Sequence, residues 1–379
     1  MVTGWKKAKI GELTDIVNGG TPSTAIAEYW NGGINWCTPS DITKKKTKYL
    51  SNTEKTITEK GLSESSASLL PIGTILLCSR ATIGEMSIAA SEMATNQGFK
   101  NLICKKDVDN EFLYYALFPL RNKMLELAIG TTFLEISKSA LQSIEVIIPA
   151  DIIEQTAIAG ALSDVDNLIS SLQKLIKKKK AIKQGAMQEL LTGKKRLPGF
   201  YREWRIVQIG ETLSIGHGQS QKTVENRFGK YPILATGGCI GYANDFLWDK
   251  PSVLIGRKGT IDKPQYADYP FWTIDTLFYT KIFDGYDAKF IYYKFCMIDW
   301  QQYNEASGVP SLNATTIENL QIIVPEKDEQ QAIAQLLSDI DSEIEQLEKK
   351  LVKYQQIKQG MMQELLTGRI RLKEGEKNA

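Results

Sequence analysis

The chain is written twice, and that repetition constrains its fold more than any other feature. Residues Ile182–Leu197 read IKQGAMQELLTGKKRL, and Ile357–Leu372 read IKQGMMQELLTGRIRL, an offset of 175. At the same offset EQTAIAGALSDVD from Glu154 aligns with EQQAIAQLLSDID from Glu329. Of the 44 positions from 154 to 197, 26 are identical to those from 329 to 372, without a gap. Such identity marks a duplication. Upstream the copies correspond more loosely. Trp5 with Ile10-Gly11-Glu12 matches Trp204 with Ile209-Gly210-Glu211 at offset 199, and SIEVIIP at Ser143–Pro149 matches NLQIIVP at Asn319–Pro325 at offset 176. The unit is a variable block followed by a constant one, which divides the chain into 1–150, 151–197, 198–326 and 327–379. Two divergent blocks framed by near-identical ones imply two heads with different tasks on a shared scaffold.

The constant blocks predict long helices. Asp151 with Glu154, and Asp328 with Gln331, have capping-box spacing just after a proline that ends a strand-like run. Gly193 and Gly368 stand where a C-terminal cap glycine belongs. Between these signals lie about forty residues without proline, roughly 57 Å of helix at ~1.5 Å per residue. Leu337, Ile340, Ile344, Leu347 and Leu351 recur at 3,4 spacing, as do Leu162, Val165, Ile169, Leu172 and Ile176. This is a coiled-coil seam, which lapses at Lys179 and Lys183 in the first copy. Each helix has a seam too long to leave wet, and the other copy is the obvious partner. Charge agrees: 154–197 carries nine Lys/Arg and four Asp/Glu, 329–372 six and seven. A pseudo-twofold relation between the copies predicts an antiparallel pair with a head at either end. The alternative is two helices packed separately on their own heads. Gly185 and Gly360, inside the helices, mark either a close approach or a bend, or are tolerated glycines. The run Lys177–Lys180 is either a solvated face or a contact with phosphate or protein.

The variable blocks mix short strand-like runs with one helical stretch, an α/β pattern. The first has runs at Thr74–Ser79, Ser87–Ala90 and Asn101–Cys104 and a helical stretch from Glu111 to Leu127. The second has Ser252–Gly256 and Leu277–Ile282, then a helical stretch from Ala288 to Gln302. The whole is of the α+β class: two α/β heads separated by two long antiparallel helices. Polar, glycine-rich loops separate the runs and supply candidate DNA-contacting residues. In the first head these are Thr21, Ser23, Ser40, Arg80, Thr82, Asn96 and Gln97. In the second they are Gln219, Ser220, Arg257, Lys258, Thr260, Ser311 and Asn313. Arginine pairs with guanine, Asn and Gln with adenine, and hydroxyls and backbone amides hold phosphates. For any one loop the alternative is an ordinary turn, and for Arg80 or Arg257 a structural salt bridge.

Composition narrows the chemistry. A net charge of +2 excludes a wholesale basic coat, so any nucleic-acid footprint is local. Five cysteines without CxxC spacing fit a reducing compartment and argue against a disulfide framework or a zinc site. A single histidine, His217, makes a histidine base or metal ligand set improbable, and a loop position is expected for it. No apolar run reaches the ~18 residues of a membrane span; the richest, Leu69–Ser79, is broken by Pro71 and Gly73. No signal-peptide pattern opens the chain, so a cytoplasmic location is expected. The GxxxxGK[ST] phosphate loop, a GxGxxG loop after a strand, and the NPP[FY] loop of amino-methyltransferases are all missing.

Taken together these motifs resemble the specificity subunit of type I restriction–modification systems. The resemblance rests on PADIIEQTAIA and PEKDEQQAIA opening the constant helices and QELLTG closing them. LPGF before Trp204 adds to it, as do ILLCSRATIG, MATNQGFKNL, VLIGRKGTI and IDTLFY in the heads. It covers essentially the whole chain. It implies two target-recognition domains, each reading one half of a split site in double-stranded DNA. It implies constant helices that set the spacing and dock two methyltransferase subunits, joined by a restriction subunit that is a translocase and nuclease. S-adenosylmethionine, ATP and Mg²⁺ then belong to those partners, and this chain holds no metal or cofactor and is no enzyme. A prokaryotic cytoplasm follows. Two other classes stay open on the residues alone: a methyltransferase or nuclease with a disguised site, and a coiled-coil scaffold that binds only protein.

Overall fold

The computed structural model describes residues 2–45, 47–130 and 134–372. Met1 and 373–379, the outer ends of the expected first and last segments, lie outside the described residues. The chain divides into two compact units, one of 1–171 with 351–379, the other of 172–350. Each unit therefore holds one head, the start of one long helix and the end of the other.

The first head is closed by an antiparallel pair, Trp5–Lys9 with Glu145–Pro149, the two ends of its variable block. Inside lies a five-stranded sheet in the order Thr14–Asn18, Phe99–Cys104, Ile75–Cys78, Met86–Ala89, Tyr49–Leu50. A three-stranded sheet is ordered Lys55–Ile57, Trp30–Cys37, Met93–Thr95, its last pair parallel. The central strand Ile75–Cys78 is buried at every residue, which is why it reads as an unbroken apolar run. The expected helical stretch forms Asn110–Leu117 and Arg121–Glu126, interrupted by a 3₁₀ turn carrying Pro119, whose ring and missing N–H break the ladder.

The second head repeats the plan. Arg205–Gln208 pairs with Gln321–Val324. A four-stranded sheet runs Leu213–Gly216, Leu277–Ile282, Ser252–Gly256, Gln265–Ala267. A three-stranded one runs Gly238–Ala243, Tyr231–Ala235, Trp272–Thr273, again with its last pair parallel. The expected helix appears as Ala288–Met297, followed by a 3₁₀ turn at Trp300–Tyr303.

The two long helices are Ile152–Leu190 and Lys327–Leu365, 39 residues each. Gly193 and Gly368 follow them in the left-handed region, φ +71° and +72°, as cap glycines do. The capping boxes do not form as expected. Asp151 accepts from Ile153 N at 2.9 Å, but Glu154 turns away to an arginine and a tryptophan. Asp328 lies inside its helix, and Glu326 carbonyl oxygen receives the first free amides. Within each unit the helices run antiparallel: Lys179 meets Glu343 while Lys183 meets Asp341. The lapse in the seam is thus an ion-paired stretch, and Lys180 adds a pair to Glu348. Of the seam residues, Leu172, Ile176 and Ile344 are buried, and Val165, Ile169, Ile340, Leu347 and Leu351 are partly so. Leu162 and Leu337 instead complete the head cores. The first core takes Ile158 and Leu162 from one helix, Leu365 from the other and Leu366 just past its end. The second takes Ile333 and Leu337, with Met187, Leu190 and Leu191.

Candidate nucleic-acid interface

A matched set of polar contacts fixes each head to its helix ends. In the first unit Glu154, 5% exposed, accepts two bonds from Arg371, Nε at 2.8 Å and Nη2 at 2.6 Å, and one from Trp5 Nε1 at 3.3 Å. In the second, Glu329, 2% exposed, accepts from Arg196 Nε and Nη2, both at 2.7 Å, and from Trp204 Nε1 at 3.1 Å. Forked arginine–carboxylate pairs of this kind fix orientation as well as charge. The cap glycines press on the same indoles, so a Cβ on Gly368 would come 3.0 Å from Trp5 and one on Gly193 3.4 Å from Trp204. Gln155 Oε1 accepts from Asp109 N, as Gln330 Oε1 does from Asp287 N, each at 2.9 Å. Tyr115 donates to Asp166 and Tyr293 to Asp341, and the same carboxylates pair with Lys358 and Lys183. Burial, then the carboxylate, pushes both phenols up.

On this frame the loops of the first head gather at one edge of its sheets. Thr21 Oγ1 donates to Gln97 Oε1. Gly20 N donates to Thr95 O at 2.8 Å, and a Cβ on Gly19 would stand 1.8 Å from Asn96 O, so only glycine permits that crossing. Asn96 N donates to Cys37 O and Ser79 N to Gly98 O, which brings Arg80 to the same place as Thr38 and the helix Pro39–Lys45. Ser40 lies in the first turn of that helix instead of in the expected loop. Ser23 and Ser40 are exposed, and Arg80 is half-buried with its backbone bridged to Glu135. Asn96 Oδ1 is committed to Gly98 N at 2.9 Å, and Thr82 turns its hydroxyl inward.

The second head assembles a comparable edge from different side chains. Gln219 N donates to Thr273 O and Arg257 N to Thr276 O, both at 2.8 Å. Arg257 is half-buried, its Nη1 3.4 Å from Asp275 O. Gly259 N reaches Pro310 O, Leu312 N reaches Arg257 O, and Lys258 bridges Ser311. Thr260 closes this turn against Gly256. Gln219, Ser220 and Lys258 are exposed, whereas Asn313 Oδ1 caps the helix Ala314–Asn319 through Thr315 N. His217 is an exposed loop residue, edge-on to Phe278.

Strand register fixes the correspondence between the two edges. Cys78 pairs Phe99 as Gly256 pairs Leu277, an offset of 178 for both. Ser79 therefore corresponds to Arg257 and Arg80 to Lys258. The turn that follows is left-handed in both, at Ala81 (φ +62°) and Gly259 (φ +91°). The two arginines occupy different places in their heads. The motifs ILLCSRATI (75–83) and VLIGRKGTI (253–261) align without a gap at this same offset, Thr82 with Thr260 and Ile83 with Ile261, and the ladder agrees.

Comparison with known proteins agrees with this architecture. The family described as "Type I restriction modification DNA specificity domain" matches residues 3–184 and 201–358. The chain belongs to this family. It is a non-catalytic DNA-recognition subunit. It is 28% identical to the type I restriction enzyme MjaIX specificity subunit of Methanocaldococcus jannaschii, across 98% of this chain and 94% of that protein. It is 22% identical to the EcoprrI specificity subunit of Escherichia coli over 88% and 86%. In fold it is similar to the crystal structure of the type I S subunit from M. genitalium, with TM-score 0.69 and 18% identity over 95% and 96% of the two chains. A chain from a type I R-M system, described for its complex assembly and conformational transition, gives TM-score 0.55 at 14% identity over 98% and 99%. Among the described residues no helix is long and apolar enough to cross a membrane, and no His/Cys/Asp/Glu group could hold a metal.

Proposed function

We propose that this specificity subunit reads a bipartite site in double-stranded DNA, each head contacting one half through its loop edge. The observation that carries it is the pairing of a repeated frame with unrepeated edges. Glu154 and Glu329 are held alike, while one edge carries Thr21, Arg80 and Gln97 and the other Gln219, Arg257, Lys258 and Ser311. One frame with two side-chain sets suits two half-sites of different sequence. The functional segments are 1–150 and 198–326 for recognition, and 151–197 and 327–379 for spacing and docking.

A frame repeated in one chain offers the same surface twice. Ile182 and Ile357, equivalent by the repeat, are 47% and 38% exposed, which suits two copies of one methyltransferase subunit. A restriction subunit with translocase and nuclease activity joins them. S-adenosylmethionine, ATP and Mg²⁺ act on those partners in a prokaryotic cytoplasm. The test replaces residues 1–150 with a head from another family member and maps the methylated sites of the assembled complex. One half-site should change while the other and the enzyme chemistry persist. Change in both halves, or in neither, refutes the modular reading. Methyl transfer by the pure chain refutes the assignment of chemistry to partners.

A further inference from the structure

Between the strands Leu213–Gly216 and Tyr231–Ala235 the chain makes a turn at Asn226–Gly229 that holds an aromatic ring in solvent. Phe228 is 89% exposed. The turn itself is well anchored. Asn226 Oδ1 accepts from Phe228 N at 2.9 Å and Asn226 O from Gly229 N at 2.8 Å. Asn226 N donates to Tyr242 O at 2.9 Å, and Asn226 Nδ2 to Asn244 Oδ1 at 3.0 Å. A Cβ on Gly229 would lie 2.5 Å from the Ala243 backbone, so the turn is pressed onto the hairpin and its pose is set. Burying a phenylalanine is worth ~1.5–3 kcal/mol. A turn pinned on both sides with its ring outside forgoes that gain and presents the ring to something beyond the chain.

The flanking chemistry says what. The loop Gln219–Lys230 carries Lys222, Arg227 and Lys230 against one carboxylate, Glu225, which lies beside Gly241. The Arg227 guanidinium is 6.0 Å from the Phe228 ring centroid, and the Lys230 ammonium is 5.5 Å over Tyr231. The same loop starts at Gln219, on the recognition edge. An apolar ring between cations fits a polyanion with apolar interior faces, which is the chemistry of stacked bases between phosphates. Apolar wedges of this kind open base steps and kink the duplex. In the first head the corresponding loop, 19–29, buries Tyr29 and exposes only Ile26 among its large apolar residues, at 38%.

We propose that Phe228 is a wedge that enters between two base pairs of the half-site read by the second head, with Arg227 and Lys230 on the adjacent phosphates. The proposal rests on the DNA-reading function above. To test it, the full chain selects duplexes from a library of randomised sequence. 2-Aminopurine is then placed at successive positions of a selected duplex. The wild type should raise fluorescence at one step, in the second head's half-site. Phe228→Ala should abolish that rise and weaken binding about tenfold, as loss of base stacking does. Arg227→Ala with Lys230→Ala should lower the salt dependence of binding by about two counterions. The thermal midpoint of Phe228→Ala should match the wild type. Phe228→Ala with unchanged affinity and unchanged fluorescence overturns the wedge. It is equally overturned if those DNA readouts persist while a co-purifying protein is lost, since the tip is then a protein contact. Failure of the wild type to enrich any duplex removes the DNA-reading function itself.

Discussion

The ends of the two units are built alike, and the layer just beneath them is not. Arg371 forks onto Glu154 in one unit as Arg196 forks onto Glu329 in the other. One residue past the matched tyrosines Tyr115 and Tyr293, the first head has Ala116 and the second Lys294. Lys294 is buried and donates to Leu191 O at 2.9 Å, at the end of the first long helix. Ala116 instead lines an open cavity of about 700 Å³ with Phe118, Ile147, Met362 and Leu366. The forked pairs hold the frame in a fixed geometry, so the layer inside each head can diverge without moving it.

The largest expected effect comes from breaking one fork at a time. Glu154→Ala removes the acceptor that Arg371 and the Trp5 indole share and leaves Arg371 its bond to Thr3 O. Glu329→Ala does the same to Arg196 and Trp204, leaving Arg196 its bond to Arg202 O. Each variant removes three hydrogen bonds at once, two of them charge-assisted, from the junction of a head with its helix ends. Hydrogen exchange resolved by peptide should show loss of protection in the 1–171 unit for the first variant and in the 172–350 unit for the second. Equal loss in both units from either substitution would show that the forks do not act separately.

A smaller effect separates the layers beneath. Burial pushes the Lys294 ammonium down to about 8. The unfolded chain keeps that proton to about 10.4. Between those values the unfolded state binds more protons, so the stability of the second unit should rise with pH through that window. Relative to Lys294→Met the gain by pH 10 should be on the order of 2 kcal/mol. Denaturant midpoints at pH 7 and pH 10 measure it. A pH-independent difference would mean that the helix-end carbonyl holds the charge as well as water does.

How much of this was legible beforehand depends on the range of the interactions. The long helices, their cap glycines and the repeat are local patterns, and 3.6-residue periodicity records them. The strands Ser252–Gly256 and Leu277–Ile282 have the bounds the apolar runs predict. The forks were not visible, because Glu154 and Arg371 lie 217 residues apart and Glu154 also fits a capping box. The parallel pairs Trp30–Cys37 with Met93–Thr95 and Tyr231–Ala235 with Trp272–Thr273 carry no local signal either. In the candidate interface the loops were legible as loops except at Ser40, which lies in the helix Pro39–Lys45. Their convergence is a product of register, whereas the match of Arg80 to Lys258 instead of Arg257 was already legible in ILLCSRATI and VLIGRKGTI, which align without a gap.

That match yields a third test. Ala81 and Gly259 occupy the same left-handed turn, where a side chain costs ~1–2 kcal/mol. Gly259→Ala should destabilise the second unit by about that amount, and Ala81→Gly should stabilise the first by somewhat less. Opposite signs in thermal denaturation support the register; a shared sign breaks the equivalence.

The smallest effect concerns Gly185 and Gly360, equivalent in the repeat and inside the long helices. A Cβ at either would meet nothing within 4 Å, so no close approach within the chain requires them. Glycine in a helix interior costs just under ~1 kcal/mol relative to alanine, through backbone entropy. Gly185→Ala and Gly360→Ala should therefore each stabilise the isolated chain by about that amount, and additively, since one lies in each unit. Chemical denaturation of the two single variants and the double reads this directly. The same variants in the assembled complex give the comparison its edge. If the helix surface at these positions meets only water, assembly is unchanged. If a partner backbone lies against it, each added methyl weakens that partner's binding while the free chain grows more stable. Opposite shifts of stability and assembly would place a docked subunit at the glycines.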